Sequence, residues 1–164
     1  ASIFLTFNYT RTLEEVYEIP DGLVLHIHGE AGQDESEIIL GHSWSPHEIP
    51  NLNNVSNPED MDSRVMEGNE LINDYFSQTY KPSGKIIREH NSFFSSLQKV
   101  EKIFVIGHSI SEVDYSYFEE IVNSVSSDAK WVVTYYGGDE LERHTLTLKN
   151  LGIKHVRFSK VDDL

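Results

Sequence analysis

The sequence contains no cysteine. Disulfides, a thiolate nucleophile and cysteine-ligated zinc are therefore excluded, and the absence is typical of proteins from a reducing compartment. Long apolar runs are also missing, since none approaches the roughly 20 residues that a membrane-spanning helix needs. We therefore expect a cytoplasmic protein that has no membrane partner.

Basic residues are scarce. The chain has 13 Lys and Arg residues against 27 Asp and Glu residues, for a net charge of −14. From Glu30 to Asp74, eleven acids stand against a single base, Arg64. Because nucleic-acid affinity comes largely from Lys and Arg that neutralise phosphates, this chain is not expected to bind nucleic acid. We attribute the acidity to solubility rather than to a calcium site, because no D-x-[DN]-x-[DN]-G loop occurs.

The length and composition predict a globular domain. The 164 residues are 38% hydrophobic and include 2 Trp, 8 Tyr and 8 Phe, which is enough to form a core. The chain enters an apolar stretch directly after Ala1. We therefore expect residues 1–164 to be a single domain from a longer chain, whose first strand lies upstream, with a long acidic loop or helical insertion at about 43–82.

Apolar runs alternate with amphipathic segments. The predicted strands are 2–8, 23–29, 37–42, 102–107, 130–136 and 154–160, and the predicted helices are 10–17, 62–80, 83–99, 139–152 and one that begins after Ser111. Ser111 and Asp114 resemble a capping box at the start of that helix. The alternation predicts the α/β class: a three-layer, mostly parallel, Rossmann-like sheet with helices on both faces.

Polar side chains and glycines follow the predicted strands. Ligands of open parallel sheets bind at the carboxyl ends of the strands, and glycine lets a ligand approach the backbone. These residues therefore predict a binding site, and they are Thr6, Asn8, Tyr9, His26, His28, Gly29, Gly41, His42, Ser43, Gly107, His108, Ser109, Ser111, Gly137, Gly138 and Asp139.

The segment KIFVIGHSIS (102–111) allows two interpretations. One is the nucleophile elbow of an esterase, with Ser109 as the nucleophile and with Asp139 and His155 to complete a triad; the small residue that such an elbow needs is then Ser111 rather than glycine. The other is a turn at Gly107 that leads into a helix N-terminus, whose N–H groups attract a phosphate or a ribose. We favour the second. Asp139 is either a ribose acceptor or the N-cap of the next helix.

Two histidines stand two residues apart in a predicted strand. His26 and His28 would then point to the same face. With His42, His47 or His108 they offer three nitrogen ligands, so a metal-assisted hydrolase is one alternative. The other alternative is one core histidine and one histidine at the edge of the site, and in that case no metal is expected.

Three blocks of the sequence together resemble a family. They are FLTFNYTRTLEEVY (4–17), LHIHGE (25–30) with ILGH (39–42), and IGHSISEVDYSYFEEI (106–121). The chain resembles, from about Phe4 to Tyr136, the AbiH family of bacterial abortive-infection proteins that act against phage. More distantly, the blocks are similar to the sirtuin-type NAD-binding fold, in which a Thr-x-Asn strand end, a His-Gly strand end and a Gly-x-Ser turn surround NAD.

The resemblance implies roles for particular residues. Asn8 matches the asparagine that holds the nicotinamide ribose and a water, and His28, followed by Gly29, matches the histidine that accepts a ribose proton. Gly107 and Ser109 match the turn that contacts phosphate and ribose. The remaining residues of the predicted nucleotide site are Thr6, Tyr9, His108, Ser111 and Asp139. The implied reaction is cleavage of the nicotinamide–ribose bond of NAD.

Three functions remain open at this point. The first is an effector that binds and hydrolyses NAD in the infected cell. The second is a non-catalytic module that senses a nucleotide or a phage protein, and the third is the metal-assisted hydrolase. Trp44, at the start of the acidic segment, is a candidate for stacking on a base.

Overall fold

The computed structural model describes residues 2–32, 38–45, 48, 50–57 and 61–163. The chain divides into two compact units, Ala1–Pro82 and Ser83–Leu164. Each unit has its own sheet, and all the strand pairs of the described residues are parallel. This confirms the predicted α/β class, with parallel sheets and flanking helices. The expectation of a single domain with an acidic insertion at 43–82 stays a prediction.

The first unit contains a two-stranded sheet. Strand β1 (Phe4–Thr6) is followed by helix α1 (Thr12–Glu15) and by strand β2 (Val24–His26), which pairs with β1 so that Thr6 lies opposite His26. Ile27, directly after β2, is 1% exposed and belongs to the core. The two strands end at the same edge of the sheet, and this places the residues that follow them close together.

The predicted strand 37–42 is wrong over residues 38–42, and Glu37 lies outside the described residues. Instead of a strand, this stretch makes an isolated parallel bridge between His42 and Tyr80. Gly41, at φ +137°, passes so close to the next segment that a Cβ would lie 1.7 Å from the Thr79 carbonyl oxygen. The bridge therefore depends on glycine at this position.

Helix α2 (Ser63–Gln78) confirms the predicted helix 62–80. The Asp62 carboxylate caps it by accepting a hydrogen bond from the Arg64 N–H at 2.8 Å. The apolar side chains of α2 are not buried, however: no residue of the helix is buried, and Leu71 is 68% exposed. The helix contacts the preceding segment through side-chain amides instead. For example, the Asn69 amide donates to the side-chain oxygen of Asn53.

The second unit contains a three-stranded sheet in the order β3-β4-β5. Its elements are α3 (Ser83–Glu89), α4 (Asn91–Ser96), β3 (Lys102–Val105), α5 (Tyr115–Ser124), β4 (Lys130–Tyr135), α6 (Gly138–Asn150) and β5 (Val156–Lys160). The predicted helix 83–99 is thus divided at His90, between α3 and α4. The central strand β4 is the most buried, with Val133 at 0% exposure. None of the described helices is long and apolar enough to cross a membrane.

Candidate functional site

The carboxyl ends of β1 and β2 bring Asn8 and His26 together. The Asn8 N–H donates to Thr6 Oγ1 at 3.1 Å, and the Asn8 carbonyl oxygen lies 3.1 Å from His26 Nδ1, which donates to it. Asn8 itself is exposed. Its amide side chain is therefore accessible, while the backbone on both sides of the residue is fixed by hydrogen bonds.

The other ring nitrogen of His26 contacts a buried carboxylate. Nε2 lies 2.8 Å from Glu14 Oε1, and the two side chains are 4% and 6% exposed. Both ring nitrogens thus face oxygen atoms, so the ring is held between the Asn8 carbonyl and the Glu14 carboxylate. Burial acts to raise the pKa of Glu14, but the hydrogen bond with His26, a backbone hydrogen bond and the charges of His26 and Arg11 outweigh burial, so the pKa lies below its usual value.

His28 lies in a different environment from His26. It is 2% exposed, and its ring centroid lies 5.5 Å from that of Phe7 and 6.4 Å from that of Tyr9. The His28 carbonyl accepts from the Ile39 N–H, and the Tyr9 hydroxyl donates to the Ile39 carbonyl. Because β2 ends at His26, the strand periodicity that put both histidines on one face does not extend to His28.

The histidines that the structure describes lie in separate environments. Across residues 2–32, 38–45, 48, 50–57 and 61–163, no three or more His, Cys, Asp or Glu side chains are grouped as metal ligands. The described residues therefore lend no support to the alternative in which His26, His28 and His42 bind a metal, and that alternative stays a prediction. His42 instead donates from Nε2 to the Phe76 carbonyl at 3.1 Å. His47 lies outside the described residues.

Trp44 lies at the edge of an aromatic group in the first unit. Its ring centroid is 5.8 Å from that of His42 and 6.4 Å from that of Phe76. Trp44 is nevertheless 55% exposed, so much of the indole is open to solvent. Its stacking on a base stays a prediction.

In the second unit, the turn after β3 is held by Thr134. The Gly107 N–H donates to Thr134 Oγ1 at 2.9 Å, and that hydroxyl donates to the Val105 carbonyl at 3.3 Å. Thr134 is 2% exposed, whereas Gly107, at φ +64°, and Ser109 are exposed. The Gly107 N–H is thus used within the turn, and the predicted contact of this turn with phosphate stays a prediction.

His108 is held in one tautomer. Its Nδ1 accepts from the Ile110 N–H at 2.9 Å, so Nε2 carries the proton and lies 3.5 Å from Asp114 Oδ2. The predicted capping box is wrong, because the Ser111 side chain makes no capping hydrogen bond and a short 3-10 turn, Glu112–Asp114, precedes α5. Asp114 lies beside the histidine instead.

The geometry of the sheet excludes the Ser109 triad. Ser109 follows the carboxyl end of β3, whereas His155 precedes the amino end of β5, and both strands run parallel to β4. The two residues therefore lie at opposite ends of the parallel strands, too far apart for the hydrogen bonds that a catalytic triad needs. Asp139 is exposed in the first turn of α6 and is not its N-cap, which is Gly137. The ribose role of Asp139 stays a prediction.

Sequence analysis missed a buried histidine on α6. His144 is 0% exposed, and neither ring nitrogen has a hydrogen-bond partner within the described part of the chain. Burial lowers its pKa, although Glu140, 3.9 Å away, and the Ser109 backbone favour the charged form. A signal was present, because Leu141, His144 and Leu148 fall on one helix face.

Apart from Gly41, His42 and Ser43, which follow no strand, the predicted site residues form two groups, each at the carboxyl ends of the strands of one unit. The first group is Thr6, Asn8, Tyr9, His26, His28 and Gly29, and the second is Gly107, His108, Ser109, Ser111 and Asp139. Sequence analysis missed Glu14, Thr134 and His144. No signal in the sequence separates the buried Glu14 side chain from its exposed neighbour Glu15.

Comparison of the sequence with known proteins identifies the family to which the chain belongs. Neither a curated protein nor a solved structure matches the chain. The sequence profile of the family described as Bacteriophage abortive infection AbiH matches residues 1–135, which is most of the 164 residues. The match includes the three motif blocks and the strand ends that carry Asn8 and His28. The chain therefore belongs to the AbiH family of bacteriophage abortive-infection proteins.

Proposed function

We propose that this protein acts in abortive infection by binding NAD at the carboxyl ends of β1 and β2 and by cleaving its nicotinamide–ribose bond. The observation that supports the proposal is the state of Asn8, an exposed amide on a backbone fixed by Thr6 and His26. Such an amide can orient a water or a ribose hydroxyl without first having to order its loop, which is how positioning lowers a reaction barrier.

The neighbours of Asn8 suit the nicotinamide riboside part of NAD. Phe7 and Tyr9 provide aromatic surface beside His28. Gly29, at φ +84°, follows His28 and has no side chain to block a ribose. The reaction proceeds through an oxocarbenium-like transition state and so needs a positioned water and a base more than a covalent nucleophile.

His28 is the base in this proposal, and its burial sets a condition. Proton transfer needs heavy atoms within about 2.6–3.2 Å, yet His28 is 2% exposed. Ile39 is hydrogen-bonded to His28 and to Tyr9. The Tyr9 ring or the segment at Ile39 must therefore move when the ligand enters. The same burial favours a second candidate function, in which a nucleotide is bound and sensed without turnover.

The test follows NAD consumption and nicotinamide release by the purified protein. Asn8→Ala is compared with Asn150→Ala, a matched exposed asparagine at the end of α6. We expect release by the parent protein and by Asn150→Ala, and loss of release by Asn8→Ala with an unchanged circular dichroism melt. NAD binding without release would favour the sensing function. Neither binding nor release by the folded parent protein would refute NAD as the ligand in either function.

A further inference from the structure

A chain of two hydrogen bonds leads from a buried carboxylate to the exposed Asn8. Glu14 Oε1 lies 2.8 Å from His26 Nε2, and His26 Nδ1 lies 3.1 Å from the Asn8 carbonyl oxygen. The pairing of Thr6 with His26 in the sheet register places the imidazole beside the turn that carries Asn8. These two hydrogen bonds thus join helix α1, strand β2 and the end of strand β1.

The partners of the two His26 ring nitrogens determine how the ring is held. A carbonyl oxygen can only accept, so Nδ1 must carry a proton for the contact with Asn8 to form. The Glu14 carboxylate lies 2.8 Å from Nε2, and the two contacts together hold the ring in one orientation. If the carboxylate contact is lost, the ring gains rotational freedom and the Asn8 carbonyl loses a fixed donor.

We infer that Glu14 and His26 are positioning residues, which hold the Asn8 peptide in the orientation that its side chain needs to meet the ligand. The inference rests on the proposed function for the identity of that ligand. Neither residue touches the ligand in this account, because both side chains are at least nine-tenths buried. Their effect passes through the backbone of Asn8.

Two substitutions of His26 separate the two contacts. In His26→Asn, the side-chain amide replaces Nδ1, so the bond to Asn8 is kept and the contact with Glu14 is lost. In His26→Gln, the longer amide replaces Nε2, so the contact with Glu14 is kept and the bond to Asn8 is lost. A positioning role predicts that His26→Gln is the more harmful to ligand binding. A role limited to neutralising the buried carboxylate predicts the opposite order, because only His26→Asn leaves Glu14 unpaired.

The first measurement is hydrogen–deuterium exchange at the backbone amide of Asn8, which donates to Thr6 Oγ1, and it needs no nucleotide. We expect His26→Gln to accelerate exchange there by roughly 2- to 10-fold, the factor that corresponds to one lost hydrogen bond. His26→Asn, which keeps the bond to Asn8 but loses the contact with Glu14, should accelerate exchange less than His26→Gln does. Equal exchange in the two variants, or unchanged exchange in His26→Gln, would overturn the inference.

The second measurement is the dissociation constant of NAD by calorimetry. His26→Gln should weaken binding, and should cause no further loss in an Asn8→Ala background, because its effect passes through Asn8. Additive losses in the double variant would overturn the inference. If the parent protein binds no NAD while the exchange pattern holds, the proposed function fails and the positioning role stands.

Substitutions of Glu14 provide the same test if His26→Gln does not fold. Glu14→Gln keeps a partner for His26 Nε2, and Glu14→Leu removes it. Exchange at Asn8 should rise in Glu14→Leu and stay near the parent rate in Glu14→Gln. Glu15→Leu, at the exposed neighbouring position, is the control and should have no effect. Identical exchange in Glu14→Leu and Glu15→Leu would overturn the inference.

Discussion

Replacing Thr134 by valine removes the hydroxyl that holds the turn after β3. Valine has nearly the same shape and a high preference for strands, so the change isolates the two hydrogen bonds to Gly107 and Val105. Thr134 is 2% exposed, so water cannot replace the hydroxyl at its own position. Gly107 is exposed, and its N–H can turn to solvent. We therefore expect a loss of about 1–2 kcal/mol in the free energy of unfolding.

The assay for Thr134→Val is urea denaturation followed by circular dichroism, together with hydrogen exchange at Gly107. Thr145→Val is the control, because Thr145 is exposed on α6 and its hydroxyl bonds the Leu141 carbonyl within the same helix. The control should change stability by no more than about 0.5 kcal/mol. Equal stability of Thr134→Val and the parent protein, with unchanged exchange at Gly107, would refute the role given to this hydroxyl.

The further predictions concern three positions, Gly41, His144 and Glu14. Gly41→Ala should lower the free energy of unfolding, measured by urea denaturation, by about 1–3 kcal/mol, because of the φ of +137° at this position and the close approach of the Thr79 carbonyl. An unchanged urea midpoint would contradict the geometry given for the bridge between His42 and Tyr80. His144→Met should leave the free energy of unfolding at pH 7 close to that of the parent protein, since it removes two buried nitrogens that make no hydrogen bond of good geometry in the described residues and loses the 3.9 Å contact with Glu140. His144→Met should also reduce the loss of stability as the pH falls below 6.5, because the unfolded chain takes up a proton there and the folded chain, in which the pKa of His144 is lowered, does not; an unchanged pH profile would contradict this. Glu14, whose folded-state pKa is lowered, stabilises the fold above pH 4.5 and ceases to do so as the pH falls through that lower pKa. Glu14→Gln should therefore flatten this acid dependence in urea titrations, and a slope equal to that of the parent protein would count against the ion pair.

Local signals in the sequence were sufficient for the second unit. In α5, the helix predicted after Ser111, the apolar residues Tyr117, Phe118 and Ile121 fall on one face and are buried. Helix α6 ends beside Gly152, which has φ +74°, as the glycine stop signal predicts. These features depend on residues a few positions apart, so periodicity and turn chemistry are enough to find them.

Contacts between distant residues were not predictable in the same way. Ile38 and Leu40 resemble a buried strand, but they are 42% and 64% exposed, because pairing partners rather than apolar content decide whether a run becomes a strand. Glu14 meets His26 only after α1 folds back on the end of β2. The family motif pointed to Asn8 and His28, but no local pattern predicts that the first is exposed and the second buried, since both lie beyond the strands.

The most direct test of the central claim is a titration of 15N-labelled protein with NAD while the side-chain amide signal of Asn8 is followed. The signal is assigned by its absence in Asn8→Ala, and the signal of Asn150 serves as an internal reference. If NAD binds at the carboxyl ends of β1 and β2, the Asn8 signal shifts in a saturable manner while the Asn150 signal does not. An unmoved Asn8 signal at saturating NAD would contradict the site that we propose.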